Sequence, residues 1–343
     1  MPKRNGRNGQ TLLYRKIQRL GASSLIVTLP KDWARRHGVK VGDILSVYDE
    51  GDKLVIAPNG ESYKIKLRFG LNHTHVEKHI NRIILCSYVF GIDKLLFYNN
   101  KNIKSSLLDR VKKMRNILEG LEVDVDRETG TLAISMPKWE DKLVKALVRY
   151  GREISRLYSD YHKMLRTGKP LLREEIEARY KYLMRLNYRL LRIANSVKSI
   201  NKMHERKCRY MVSASNLIGI VADSTYKLGM DIIQVLDKLE DHERDRLALL
   251  LEIMEVAVST IVNSLEPPSV KKTEESYTKI RSILEMEDDM GAIVESGSPA
   301  FAYLLAKIIE IARTLEIAEH IMLCNALYEK YNESLSMPKD GQI

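Results

Sequence analysis

Hydrophobic positions along this chain follow three successive patterns. From residue 15 to residue 58 they come in short β-branched runs, which predict strands over 15–20 and 24–29 joined by a tight turn at Gly21-Ala22-Ser23. Pro30 opens a short helix over 31–37 that Gly38 ends. Val41-Gly42-Asp43 then turns the chain into a second hairpin, 44–48 with 54–57, around Asp49-Glu50-Gly51-Asp52. About 45 residues of short strands and one helix make a core too thin to be stable alone. Ile17, Leu25, Val27, Leu29, Val47 and Ile56 cannot all be buried inside one copy. The unit 12–58 is therefore expected to borrow apolar surface from a partner.

Residues 60–136 alternate differently. A strand at 63–68, an amphipathic helix at 76–90, a strand at 94–98, a helix at 104–119 and a hairpin of 121–125 with 131–136 give the order βαβαββ. That order describes a small α/β sandwich with its helices on one face of a sheet. From Pro137 onward the apolar period is 3.6, as in Leu143, Leu147, Tyr150, Ile154, Leu157, Tyr161 and Met164. Breaks at Thr167-Gly168-Lys169-Pro170, 207–210, Asp241, Pro267-Pro268 and Ser296-Gly297-Ser298-Pro299 predict six helices: 138–166, 171–206, 210–240, 243–265, 269–291 and 299–334. Two trios of similar proportions suggest two three-helix bundles, 137–240 and 241–335. The fold class is thus multidomain: a small β-rich unit, an α/β spacer and an all-α part.

Charge divides the molecule more sharply than composition does. The 343 residues carry a net +11, but segments 1–59, 60–136 and 137–209 carry +6, +4 and +12 while 210–343 carries −11. A basic front with an acidic rear points to a polyanionic partner for the front. Cys86, Cys208 and Cys324 fit neither a disulfide framework nor a CxxC metal site, and are expected as reduced core residues. No secretory segment and no membrane-spanning run is read, so a soluble cytoplasmic protein without membrane insertion is expected.

The opening stretch, with Arg15-Lys16-Ile17, Leu20-Gly21, Ile26-Val27-Thr28-Leu29-Pro30, Gly38-Val39 and Val41-Gly42-Asp43, resembles the SpoVT/AbrB-like swapped-hairpin family of DNA-binding domains. The resemblance implies that two chains interleave their hairpins into one dimeric barrel that docks on DNA. It also implies DNA contacts at Arg15 and Arg35; Ala34 and the Ala22-Ser23 turn stand where many members carry further arginines. The whole chain resembles archaeal proteins in which this module precedes an α/β spacer and a PhoU-like pair of three-helix bundles, through local words such as Ile220-Val221-Ala222-Asp223 and Leu315-Glu316-Ile317-Ala318-Glu319-His320. PhoU-family proteins regulate phosphate uptake, and many hold metal clusters through acidic pairs spaced four apart on their third helices. Here Gly219 and Leu315 replace the first member of each pair, leaving Asp223 and Glu319 as possible ligands of a divalent metal.

Arg15, Lys16, Arg19, Lys31, Arg35 and Arg36, preceded by Lys3, Arg4 and Arg7, have the charge to neutralise DNA phosphates. An arm containing Gly6, Asn8 and Gly9 is expected to order on binding. A stripe of Lys142, Lys145, Arg149, Arg152, Arg156 and Lys163, with Arg185, Arg189 and Arg192 on the next helix, reads as a solvated face or as a rest for flanking DNA or for the acidic half of another subunit. His73, His75 and His79 have imidazole spacing for a metal if a helix begins there. Acidic runs at Asp237–Asp245 and Glu285–Asp289 face water unless they converge on a cation. No nucleophile–base pair, phosphate loop or HExxH is present, so no enzyme is read. The expected function is a homodimeric DNA-binding regulator of phosphate uptake or homeostasis. The alternative is a signalling adaptor that contacts a phosphate transporter or its kinase, with the barrel only dimerising.

Overall fold

The computed structural model describes residues 13–21, 24–49, 54–58, 66–71, 74–99, 103–139, 143–195, 205–287 and 297–336. The chain divides into two compact units, Met1–Tyr63 and Lys64–Ile343.

In the first unit, β1 (Gln18–Leu20) pairs antiparallel with β2 (Ser24–Ile26), setting Arg19 opposite Leu25. Helix α1 (Lys31–Arg36) follows, and β3 (Leu45–Asp49) pairs antiparallel with β4 (Leu54–Pro58). Pro30 is the N-cap, one residue before its expected place. Gly38 takes φ 66°, and Val39 N–H donates to the Ala34 carbonyl at 2.9 Å. That is the left-handed helix stop glycine permits. β1 and β2 have three residues each where six are expected, while β3 and β4, five residues each, match or exceed their expected lengths; each hairpin is a separate two-stranded sheet. None of the residues of this unit whose burial is described is buried. Ile17, Leu25 and Val47 are 67%, 70% and 59% exposed.

The second unit begins with β5 (Lys66–Gly70), α2 (Thr74–Val89), β6 (Lys94–Tyr98), α3 (Ser105–Lys113), β7 (Glu122–Asp126) and β8 (Thr131–Ser135). The sheet order is β5-β6-β8-β7, parallel between β5 and β6 and antiparallel elsewhere. Phe69, Leu95, Phe97, Val123, Val125, Leu132 and Ile134 alternate onto one face, where they pack with Ile80, Ile84 and Tyr88 of α2 and Leu107 and Val111 of α3. Both helices therefore cover the same face, as a period-two pattern with one apolar side requires.

Six long helices follow: α4 (Leu143–Thr167), α5 (Arg173–Ala194), α6 (Glu205–Val235), α7 (Asp241–Asn263), α8 (Val270–Leu284) and α9 (Pro299–Ser336). Helices α4, α5 and α6 pack mutually, as do α7, α8 and α9; α4 lies along α7 and α6 along α9. One apolar core runs through all six, from Leu143 to Met322. Two glycines leave room for close contacts between helices. A Cβ on Gly229 would stand 2.2 Å from the Tyr161 ring, and one on Gly151 2.2 Å from Val262. Helix α5 stops earlier than its periodicity suggests because Asn195 caps it, its Nδ2 donating to the carbonyls of Leu191 at 3.0 Å and Val89 at 3.1 Å. Residues 205–209, expected at the end of that helix or in the break after it, are instead the first turns of α6.

Arg192 joins the α/β layer to the bundle. It is 4% exposed; its Nη1 donates to the carbonyls of Tyr88 at 3.0 Å and Ile92 at 2.8 Å, and its Nε to that of Pro137 at 2.8 Å. Arg189 lies over the Trp139 ring at 3.9 Å and pairs with Glu119 at 3.3 Å. These two arginines are therefore structural, not members of a solvent-facing stripe. Cys86 and Cys324, expected in the core, are exposed. Their helical positions fall on the outer faces of α2 and α9, where the neighbouring apolar residues turn inward.

Candidate nucleic-acid interface

Short elements of the first unit hold its cations at the surface. Arg15 and Lys16 lie just before β1, Arg19 is on β1, and Lys31, Arg35 and Arg36 are on α1; all six are exposed. Lys31 opens the helix, while Arg35 and Arg36 fall in its last turn, where their charge complements the C-terminal end of the helix dipole. Asp32, in the first turn, takes a hydrogen bond from Arg35 and forms an ion pair with it. Arg36 Nε donates to the Asp32 carbonyl at 3.3 Å, and Arg15 Nη1 to the Tyr14 carbonyl at 3.3 Å. An exposed pair of this kind contributes at most about 1 kcal/mol, so Arg35 can exchange Asp32 for a phosphate oxygen. The arm with Lys3, Arg4 and Arg7, and the Ala22-Ser23 turn, lie outside the described residues.

The same unit that presents these charges leaves its apolar side chains uncovered. Ile17 follows Arg15 and Lys16 directly, and Leu25 stands opposite Arg19. Polar and apolar exposure are thus interleaved: cations suited to a polyanion, and greasy positions suited to a protein surface.

Asp223 and Glu319 lie on the last helices of the two trios and have different surroundings. Asp223 accepts a hydrogen bond from Tyr180 Oη at 2.6 Å and lies 2.7 Å from Lys227 Nζ. Burial opposes its charge, but the bonds from Lys227 and Tyr180 and the lysine's charge prevail, so its pKa falls below the ordinary carboxyl value. Glu319 is 1% exposed, and its Oε2 has no hydrogen-bond partner. Burial first, then the charges of Glu316 and Glu274, raise its pKa to about 7. Gly219 is explained by packing, since its missing Cβ leaves room for the Asn187 amide, 2.9 Å from where that atom would be. Leu315 is fully buried in the bundle core.

Among the described residues no three His, Cys, Asp or Glu side chains group for a metal ion. His79 has φ −106° and ψ 16°, non-helical values inside α2, so it and His75 do not keep the spacing of one regular turn; His73 lies outside the described residues. Glu243, in the acidic run at the junction of the trios, is committed to capping: its Oε2 accepts from Glu240 N–H at 3.0 Å, and its Oε1 from Ser298 N–H at 2.6 Å. Asp288 and Asp289 lie outside the described residues, as does Lys142. On α4, Lys145, Arg149, Arg152, Arg156 and Lys163 are exposed or partly so; Arg149 donates to Tyr182 Oη at 2.8 Å and Arg156 to Glu153 at 2.6 Å.

Among the described residues no helix is long and apolar enough to cross a membrane. Residues 18–64 match the protein-family model described as Antidote-toxin recognition MazE, bacterial antitoxin. The match spans both hairpins and α1, a small part of the chain. No curated protein matches the chain.

Proposed function

We propose that this chain is a dimeric DNA-binding transcriptional regulator whose first unit makes both the dimer and the DNA contact, and whose helical part links that binding to phosphate uptake or homeostasis. The observation that carries the reading is the state of residues 13–58: a MazE/AbrB-like unit with no buried residue among those whose burial is described, bearing the exposed cations Arg15, Lys16, Arg19, Lys31, Arg35 and Arg36. A second copy supplies the missing core, and these cations meet the phosphate backbone. The phosphate part is supported by the resemblance of the rear of the chain to PhoU-like bundles, with which six long helices in two mutually packed trios agree. A phosphate transporter or its kinase is the partner class this implies, and Asp223 and Glu319 are the positions where a divalent metal would be sought.

Sequencing of genomic fragments retained by the purified full chain tests the reading and names the targets. Arg15→Ala and Arg35→Ala should each weaken binding to all sequences and flatten the dependence of log affinity on log salt by about one unit for every phosphate no longer neutralised. A fold-intact chain whose DNA affinity ignores both substitutions would favour the adaptor instead. The family match also favours a second reading, an antitoxin-type regulator that holds a toxin protein. Growth arrest on removal of the chain from its host, relieved by its return, is the result that reading expects.

A further inference from the structure

The open face of the four-stranded sheet has an ordered distribution of charge. Its side chains are those that alternate away from α2 and α3. The β5 edge contributes Lys66 and Arg68, and the β7 edge Glu122 and Asp124, all exposed. Between them lie Leu96 and Tyr98 of β6 and Ala133 of β8, with Tyr98 48% exposed. The registers align these positions in rows: Lys66, Lys94, Ser135, Glu122 in one; Arg68, Leu96, Ala133, Asp124 in the next. One edge is basic and the other acidic, at opposite ends of the same rows. Among the described residues Lys66, Arg68, Glu122 and Asp124 form no ion pair within the chain.

We propose that this face is a second contact between two copies of the chain, packed sheet to sheet about a twofold axis that runs parallel to the strands. Such an axis exchanges the two edges while keeping each row in place. Lys66 of one copy then faces Glu122 of the other, Arg68 faces Asp124, and Leu96 faces Ala133. An axis perpendicular to the strands in the sheet plane would set Asp124 against Asp124, so the charge pattern selects the first arrangement. Facing sheets pack about 10 Å apart, a gap that lysine and arginine side chains reaching toward carboxylates span.

The face is small. Four strands about 4.8 Å apart and five residues long at about 3.3 Å each cover roughly 300 Å² per copy, below what a free-standing dimer needs. The inference therefore rests on the proposed dimer of the first unit, which raises the effective concentration of one face for the other.

The test uses the full chain with Cys86, Cys208 and Cys324 changed to Ser. Arg68→Cys and Asp124→Cys chains are co-expressed and treated with a short bismaleimide, which spans the roughly 10 Å between facing backbones that a disulfide does not, and sedimentation of the unmutated chain gives its assembly state. The expected result is a cross-linked pair containing one chain of each kind, with far less from Arg68→Cys alone or Asp124→Cys alone. In parallel, Lys66→Glu/Arg68→Glu should weaken dimerisation at least about tenfold, and adding Glu122→Lys/Asp124→Lys to the same chain should restore it. A dimer that cross-links equally in all combinations, or not at all, overturns this face while leaving the first unit's dimer standing. A monomeric chain overturns both.

Discussion

At the level of single residues, Arg192 and Glu319 show opposite outcomes of burying charge. Arg192 satisfies three backbone carbonyls, so Arg192→Ala should cost about 3 kcal/mol or more in urea unfolding of the full chain. Arg192→Lys should recover little of this, because one ammonium group cannot reproduce the planar fork. Glu319 is the reverse case, a carboxyl whose folded pKa of about 7 lies above its unfolded value. The folded state binds its proton more tightly, so this group's contribution favours folding at low pH and is lost as pH rises from the unfolded pKa toward 7. Glu319→Gln should flatten that part of the stability–pH profile and raise the melting temperature at pH 8. On α1, Asp32 pairs with Arg35, and in the proposed DNA complex it would compete with phosphate for that arginine. Asp32→Asn should tighten DNA binding several-fold at low salt and progressively less as salt rises, measured by fluorescence anisotropy.

At the scale of elements, the close approach of helices depends on missing side chains. Gly229→Ala must displace the Tyr161 ring and should destabilise the bundle by about 1–3 kcal/mol, read from thermal unfolding. Much of the architecture was legible from pattern alone: β6 falls at 94–98 as expected, the order βαβαββ holds, and the period of Leu143 to Met164 places the buried face of α4. What escaped depends on partners far away in sequence. Arg192 repeats the spacing of Arg185 and Arg189 and so resembles part of a surface stripe, since nothing local says that the carbonyls of Tyr88 and Ile92 will converge on it. The end of α5 escaped because Asn195 caps it partly through Val89, on another element. For the candidate interface, sequence located the cations of the first unit and its shortage of core. The Asp32–Arg35 pair required the actual turn of α1.

For the whole molecule, the two units should behave as separate bodies in one respect and the second as a single body in another. A chain beginning at residue 64 should lose DNA retention while keeping the melting temperature of its helical part, because the bundle's core, from Leu143 to Met322, is built from residues of the second unit. The Arg192 joint carries a further consequence for cooperativity. Its guanidinium, sunk beneath the α/β layer near the end of α5, ties two apolar cores together, beside the Arg189–Glu119 pair and the Asn195–Val89 bond. Calorimetry of the 64–343 region should therefore show one transition whose calorimetric and van't Hoff enthalpies agree. Arg192→Ala should split it in two, and amide protons of β6 and β8 should then exchange through an opening that leaves α4 and α7 protected.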